Sequence, residues 1–116
     1  MAEGNFAKDT SFATGLSAVA ANGSSAAVVV PTGQFETAVW ASSTGAPTTA
    51  NVSVDCSFNG GTSWYAFGTT VTATVNTVGA SVQLPVGVTH VRHTLSGLAG
   101  GTAPTVSSQF AFRQRL

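Results

Sequence analysis

The chain has 116 residues and no formal net charge, and only 7% of its residues are charged. This length fits one domain with its own core, and the scarcity of Lys and Arg argues against binding nucleic acid through its phosphates. Its one cysteine, Cys56, cannot form an intrachain disulfide. The longest aliphatic run, residues 26–30, is far shorter than the ~20 residues of a membrane helix. We therefore expect neither a nucleic acid nor a membrane as partner.

Residues 1–15 carry two isolated phenylalanines, Phe6 and Phe12, without a sustained hydrophobic period. We interpret this segment as an N-terminal arm ahead of a domain over residues 16–116. Chain termini are poorly ordered unless something ties them down, so a frayed terminus explains the segment as well as a docking arm does. The two phenylalanines favour docking. The segment lacks the basic and apolar regions of a secretory signal, which predicts synthesis in the cytoplasm.

The first strands are predicted where apolar residues are interrupted by turn residues. Residues 16–21 are a candidate strand, and residues 26–30 form another that stops at Pro31, which has no amide hydrogen to donate. Residues 35–42 then alternate strictly, with Phe35 on one face and Trp40 on the other. Aromatic side chains on both faces indicate a strand covered on two sides, or one whose outer face meets a partner.

Residues 51–70 predict a hairpin. The apolar face of its first strand consists of Val52, Val54, Cys56 and Phe58. Residues 59–62, Asn-Gly-Gly-Thr, tolerate positive φ and supply the turn. If Trp64 packs into the core, parity sends Tyr65 and Phe67 to the outer face, where an aromatic patch would meet a partner.

Four further strands are predicted towards the C-terminus: residues 70–76, 80–84, 89–96 and 105–113. The total is about eight short strands, separated by residues rich in Gly, Pro, Asn and Ser. This spacing predicts an all-β fold, an antiparallel β-sandwich of immunoglobulin-like or jelly-roll-like type. Arg113 and Arg115 would share one side if the last strand continued, as a basic contact or as a solvated tail.

The few groups capable of catalysis do not form a recognisable site. His93 shares a strand face with apolar residues, which predicts a core histidine, and His90 points to the opposite face. Glu36 and Asp55 lie on different strands, so a pair of catalytic acids is not expected. Cys56 is predicted to be an inert buried thiol. We expect no enzyme, no catalytic residue, no cofactor and no metal.

Residues 57–64, SFNGGTSW, resemble the Asp-box motif S-x-D-x-G-x-T-W, with Asn59 in place of the aspartate. In the families that carry it, this motif stabilises a hairpin, and a single copy does not imply sialidase activity. More broadly, residues 50–113 are similar to small β-sandwich proteins among the virion components of tailed bacteriophages. That resemblance implies a capsid decoration or cement subunit, a neck or tail component, or an adhesion module.

The function predicted from these observations is that of a structural virion protein, a decoration or cement subunit that binds by shape and apolar contact. Its expected partners are the major capsid or tail protein and copies of itself, in a homo-oligomer. The expected partner-binding residues are Phe6, Phe12, Trp40, Tyr65, Phe67, Arg113 and Arg115. The alternative is a carbohydrate-binding or host-adhesion module in which Trp40 or Tyr65 stacks on a sugar ring.

Overall fold

The computed structural model describes residues 11–32, 36–67, 70–74 and 78–113, with the backbone alone for residues 78–82. Every regular element in these ranges is a β-strand, and none of their residues forms a helix that could cross a membrane. The ten strands are β1 (Ser11–Thr14), β2 (Gly23–Ser24), β3 (Val28–Val29), β4 (Glu36–Thr44), β5 (Thr49–Ser57), β6 (Tyr65–Ala66), β7 (Val71–Thr72), β8 (Val78–Gln83), β9 (His90–Ala99) and β10 (Thr105–Arg113).

The strands form two antiparallel sheets. The four-stranded sheet has the order β1, β10, β4, β8. In the six-stranded sheet β9 and β5 are central, with β2 and β3 both paired to β9, and β6 and β7 both paired to β5. Each sheet is therefore about four strand positions wide. The predicted all-β, antiparallel sandwich is confirmed.

The core lies between the sheets and follows the period of two along each long strand. In β10 every second side chain is buried, and Phe110 and Phe112 stack with ring centroids 5.5 Å apart. From β9, His93 stacks on Phe110 at 3.7 Å and so joins the two sheets. Full burial of a phenylalanine contributes about 1.5–3 kcal/mol, so these rings are a large part of the core's stability.

Two boundaries near the N-terminus differ from prediction. Ser11–Thr14 form β1 and pair with β10, so the sandwich begins within the segment interpreted as an arm, of which residues 1–10 lie outside the described residues. Residues 16–21 form no strand, because the chain there passes from the four-stranded to the six-stranded sheet. Only Val19 makes a bridge, to Val106. Four residues of alternation are too few to be recognised in a sequence.

One end of the sandwich is closed by the two loops that follow β4 and β9, and we call it the sealed end. The Thr102 amide donates to the Gly45 carbonyl at 2.9 Å, and the Thr48 amide donates to the Ala99 carbonyl at 2.8 Å. Gly101 has a φ of +70°, and a Cβ there would collide with the Gly45 carbonyl oxygen. Glycine at position 101 is therefore explained by close packing of backbone on backbone.

Candidate attachment surface

The opposite end, which we call the open end, contains the last residues of β5 and β10 and the first residues of β1 and β9. Among the described residues, the large apolar side chains that stay exposed are Phe12 (69%), Val29 (64%), Trp40 (51%), Phe58 (46%), Tyr65 (58%) and Val86 (91%). All but Trp40 lie at the open end or on the strands beside it. None lies in the loops of the sealed end. The exposed apolar surface of the described chain is thus concentrated at one end.

Phe58, Tyr65 and Val86 form the outermost part of the open end, which we call the apolar tip. The rings of Phe58 and Tyr65 are 6.2 Å apart and tilted by 56°. The loop that carries Val86 lies against Phe58, since a Cβ on Gly87 would be 3.5 Å from the Phe58 ring. Phe58 and Tyr65 thus form an exposed apolar patch, which is a candidate interaction site.

The apolar tip is held by a hydrogen-bonded turn. The Ser57 hydroxyl accepts the Gly61 amide at 2.8 Å and donates to the Asn59 side-chain oxygen at 2.9 Å. That same oxygen accepts the Ser63 amide at 2.9 Å. Thr89, from the neighbouring loop, accepts the Gly60 amide at 3.0 Å. The predicted hairpin is therefore present, and Asn59, which stands at the aspartate position of the resembling motif, holds its turn.

Trp64 occupies the outer face of the six-stranded sheet and not the core. The prediction that alternation from a buried Trp64 sends Tyr65 and Phe67 to the outer face was therefore wrong. It lies beneath the turn, 3.6 Å from where a Gly61 Cβ would be, and Arg92 stacks over its ring at 4.4 Å. Phe67 is partly buried and packs against the core, so it does not lie on the outer face as predicted. Tyr65 is exposed, as expected, although Trp64 is not the reason.

The remaining predicted contact residues divide between two surfaces. Phe12 is exposed on β1 beside the open end, and Arg113 lies near it with its Nε 3.0 Å from the Glu36 carboxylate. Trp40 stands on the outer face of the four-stranded sheet, opposite Gln109 of β10. Phe6 and Arg115 lie outside the described residues.

Two residues of the apolar tip were not predicted from the sequence. Phe58 was assigned to the core because it continues the alternation of Val54 and Cys56. It stays exposed because β5 ends at Ser57 and the opposite sheet does not cover it. Val86 stands between Pro85 and Gly87 in a loop, where residues do not alternate between a buried and an exposed face. A bulky apolar residue inside a Pro-x-Gly turn was the available signal.

The outer face of the six-stranded sheet is covered by polar contacts. Asp55 accepts hydrogen bonds from the Arg92 Nε at 3.0 Å and from the Thr94 hydroxyl at 2.6 Å. Thr94 is also hydrogen-bonded to Ser24 at 2.8 Å. Glu36, the other candidate acid, lies on the other sheet and is paired with Arg113. The two carboxylates are therefore not brought together.

His93 and Cys56 are both buried, as predicted. Burial lowers the pKa of His93 to about 4, against a smaller opposing effect of Asp55, and its Nδ1 is 2.6 Å from the Ser108 hydroxyl oxygen. Burial, and then Asp55, raises the pKa of the Cys56 thiol to about 11, so the reactive thiolate is scarce at neutral pH. Within the described ranges, His, Cys, Asp and Glu form no cluster of three or more suited to a metal ion.

Comparison with known proteins gives a likeness of fold. No protein-family model matches the chain, and no curated protein matches it. Among solved structures, the chain is similar to the SPBc2 prophage-derived protein YomS, with a TM-score of 0.63 and 14% sequence identity. The match covers 90% of this chain and 92% of the other. The whole sandwich, and not a fragment of it, is therefore shared with a prophage-derived protein.

Proposed function

We propose that this chain is a non-enzymatic structural protein of a tailed-phage particle, a decoration or cement subunit that attaches through its open end. The observation that carries the proposal is the exposure of Phe58, Tyr65 and Val86 at the open end. The fold shared with a prophage-derived protein supports a phage context. Partners are the major capsid or tail protein and further copies of the chain.

The chemistry of the apolar tip favours a protein surface as its partner. Its three side chains carry no charge, and the nearby Arg113 is already paired with Glu36. A nucleic acid would need unpaired basic groups, because its affinity comes from contacts with phosphates. An apolar cluster surrounded by polar residues is instead typical of the centre of a protein interface.

The size of the apolar tip indicates how attachment would work. A stable interface buries about 800 Å² on each partner, whereas two aromatic side chains and a valine supply at most a few hundred Å². Further groups at the open end would have to complete the surface, and the chain enters the sandwich at this same end, at Ser11. The segment predicted as a docking arm includes this strand and the residues that precede it. Repetition of a modest contact by particle symmetry would add avidity.

The proposal is tested with particles that lack this chain. Purified protein is mixed with them and sedimented, and we expect it to co-sediment in a saturable, stoichiometric manner. Deleting residues 2–10 should weaken retention at least several-fold without unfolding the sandwich, because β1 begins only at Ser11. No sedimentation above that of an unrelated β-sandwich would overturn the proposal.

Position on the particle separates the decoration role from a tail or neck role. Gold-labelled antibody against the chain should decorate the head of intact particles at many sites. Labelling confined to the tail or neck would contradict the decoration role and keep the structural one. Absence of the chain from purified particles by mass spectrometry would reject both.

A further inference from the structure

A groove of about 230 Å³ lies on the four-stranded sheet, away from the open end. Its rim consists of Thr14, Ser17, Trp40, Ser42, Ser107 and Gln109. Leu16 and Ala41 are buried beneath it and give it an apolar floor. The groove thus combines one large aromatic ring with several small neutral polar groups.

Strand register builds this arrangement. Thr14 of β1, Gln109 of β10 and Trp40 of β4 are direct neighbours across three strands, and Ser107 and Ser42 form the next pair on the same face. Adjacent strands are about 4.8 Å apart, so these side chains line a strip roughly 10 Å wide. On the other side of β4, Gly79 of β8 is the residue paired with Trp40.

The depth of the groove comes from the exit of β1. After Thr14 the chain bends inward, because the Gly15 amide donates to the Ser108 carbonyl and the Leu16 amide donates to the Ser108 hydroxyl, at 2.9 and 2.8 Å. Leu16 is thereby drawn into the core, with 2% of its surface exposed, while Ser17 remains on the rim. A recess is left beside Trp40, whose ring is half exposed.

The polar groups of the rim are available to a ligand. Ser107 accepts the Ala18 amide at 2.9 Å. Within the described residues, no hydrogen bond engages the side chains of Thr14, Ser42 or Gln109. Hydroxyl and amide groups can both donate and accept, which suits a ligand that carries several hydroxyls on one ring.

We propose that this groove binds a neutral pyranose sugar, with the apolar face of the ring stacked on Trp40 and its hydroxyls bonded to Thr14, Ser42 and Gln109. A sugar ring has one face of C–H groups and a rim of hydroxyls, which matches an indole bordered by neutral polar groups. A few polar groups placed around an apolar surface are typical of small-ligand sites. The proposal is independent of attachment at the open end.

Charge and size define the ligand further. Among the described residues, none of those that line the groove is Lys, Arg, Asp or Glu. A carboxylated or phosphorylated sugar would lose water without gaining a partner for its charge. The volume is below the about 300–1,000 Å³ of sites for drug-sized ligands, so it accommodates one ring. A terminal hexose or N-acetylhexosamine of a larger glycan is the class that fits.

Nuclear magnetic resonance tests the proposal through the two tryptophans of the chain. Methyl β-galactoside, methyl α-glucoside and N-acetylglucosamine are each titrated into the labelled full chain, with N-acetylneuraminic acid as an anionic control. At least one neutral sugar should shift the indole N–H signal of Trp40 and leave that of Trp64 unchanged. A dissociation constant on the order of millimolar is expected for a single exposed ring.

Variants of the groove provide the matched controls. Trp40→Ala should abolish binding, Trp40→Phe should retain part of it, and Gln109→Leu should weaken it several-fold. Trp40 is half exposed, so the substitutions should keep the fold, which the remaining amide signals report. Absence of a shift with every neutral sugar, equal binding by Trp40→Ala, or preferential binding of the anionic sugar would each overturn the proposal.

Discussion

The two ends of this sandwich differ in how their loops are packed and in how much apolar surface they leave exposed. At the sealed end, two loops pack backbone against backbone through glycines and bond to each other. At the open end, a hydrogen-bonded turn carries Phe58 and Tyr65 outward, and the neighbouring loop does the same for Val86. Since both ends are well supplied with hydrogen bonds, exposure at the open end does not follow from poor local structure. The proposed attachment accounts for this exposure as a surface kept for a partner.

The largest loss of stability is expected when a side chain is added to a glycine in the sealed end. Gly101→Ala forces a Cβ against the Gly45 carbonyl at a φ of +70°, so we expect a loss of about 3 kcal/mol or more in the free energy of unfolding. Gly60→Ala at the open end is the control, since its φ is +76° but nothing lies within 4 Å. It should cost about 1 kcal/mol. Equal losses in urea denaturation would contradict the contrast in packing.

Acid should weaken the core that both ends share. The folded pKa of His93, about 4, is lower than its ordinary 6.5, so the unfolded chain takes up the proton first. The stabilisation is therefore complete above pH 6.5 and is lost as the pH falls towards 4. At about 1.4 kcal/mol per pKa unit, the loss is at most about 3 kcal/mol.

Urea denaturation at a series of pH values measures this effect, with His93→Gln as the control. The variant is less stable at neutral pH, because it lacks the stacked ring on Phe110. Its unfolding free energy should fall less than that of the parent chain between pH 6.5 and 5. An identical fall in the two proteins would assign the acid sensitivity to other groups.

The open end should depend on its buried serine. Ser57→Ala removes the acceptor for the Gly61 and Asn59 amides, so we expect a loss of about 1–2 kcal/mol in stability. Ser63→Ala is the matched control, because the bond at that position is made by its backbone amide. It should change the free energy of unfolding by under about 0.5 kcal/mol. If Ser57→Ala behaves like Ser63→Ala, the apolar tip is not held by this turn.

The smallest effect on stability is expected from the apolar tip itself. Tyr65→Ser and Val86→Ser each replace a side chain that is more than half exposed. Their unfolding free energies should stay within about 0.5 kcal/mol of the parent, as for most surface substitutions. A large loss in thermal or urea denaturation would make these residues structural and remove the argument that they are kept for a partner.

The sequence predicted the long strands better than the surfaces. Strict alternation placed β10 at its observed residues, 105–113, and made Val54 and His93 core residues. The same rule failed at Phe58, because a strand's parity does not reveal where the opposite sheet stops covering it. It also misplaced Trp64 and Phe67, since their positions depend on Arg92 and on the turn. Such contacts between distant segments leave no periodic signal.

Retention of apolar-tip variants on particles tests the central claim most directly. The double variant Tyr65→Ser/Val86→Ser and the control Trp40→Ser, an aromatic of similar exposure away from the open end, are each co-sedimented with particles lacking the chain. Attachment through the open end predicts at least a tenfold loss of binding for the double variant and unchanged binding for the control. Equal retention of the two variants, both folded, would contradict it.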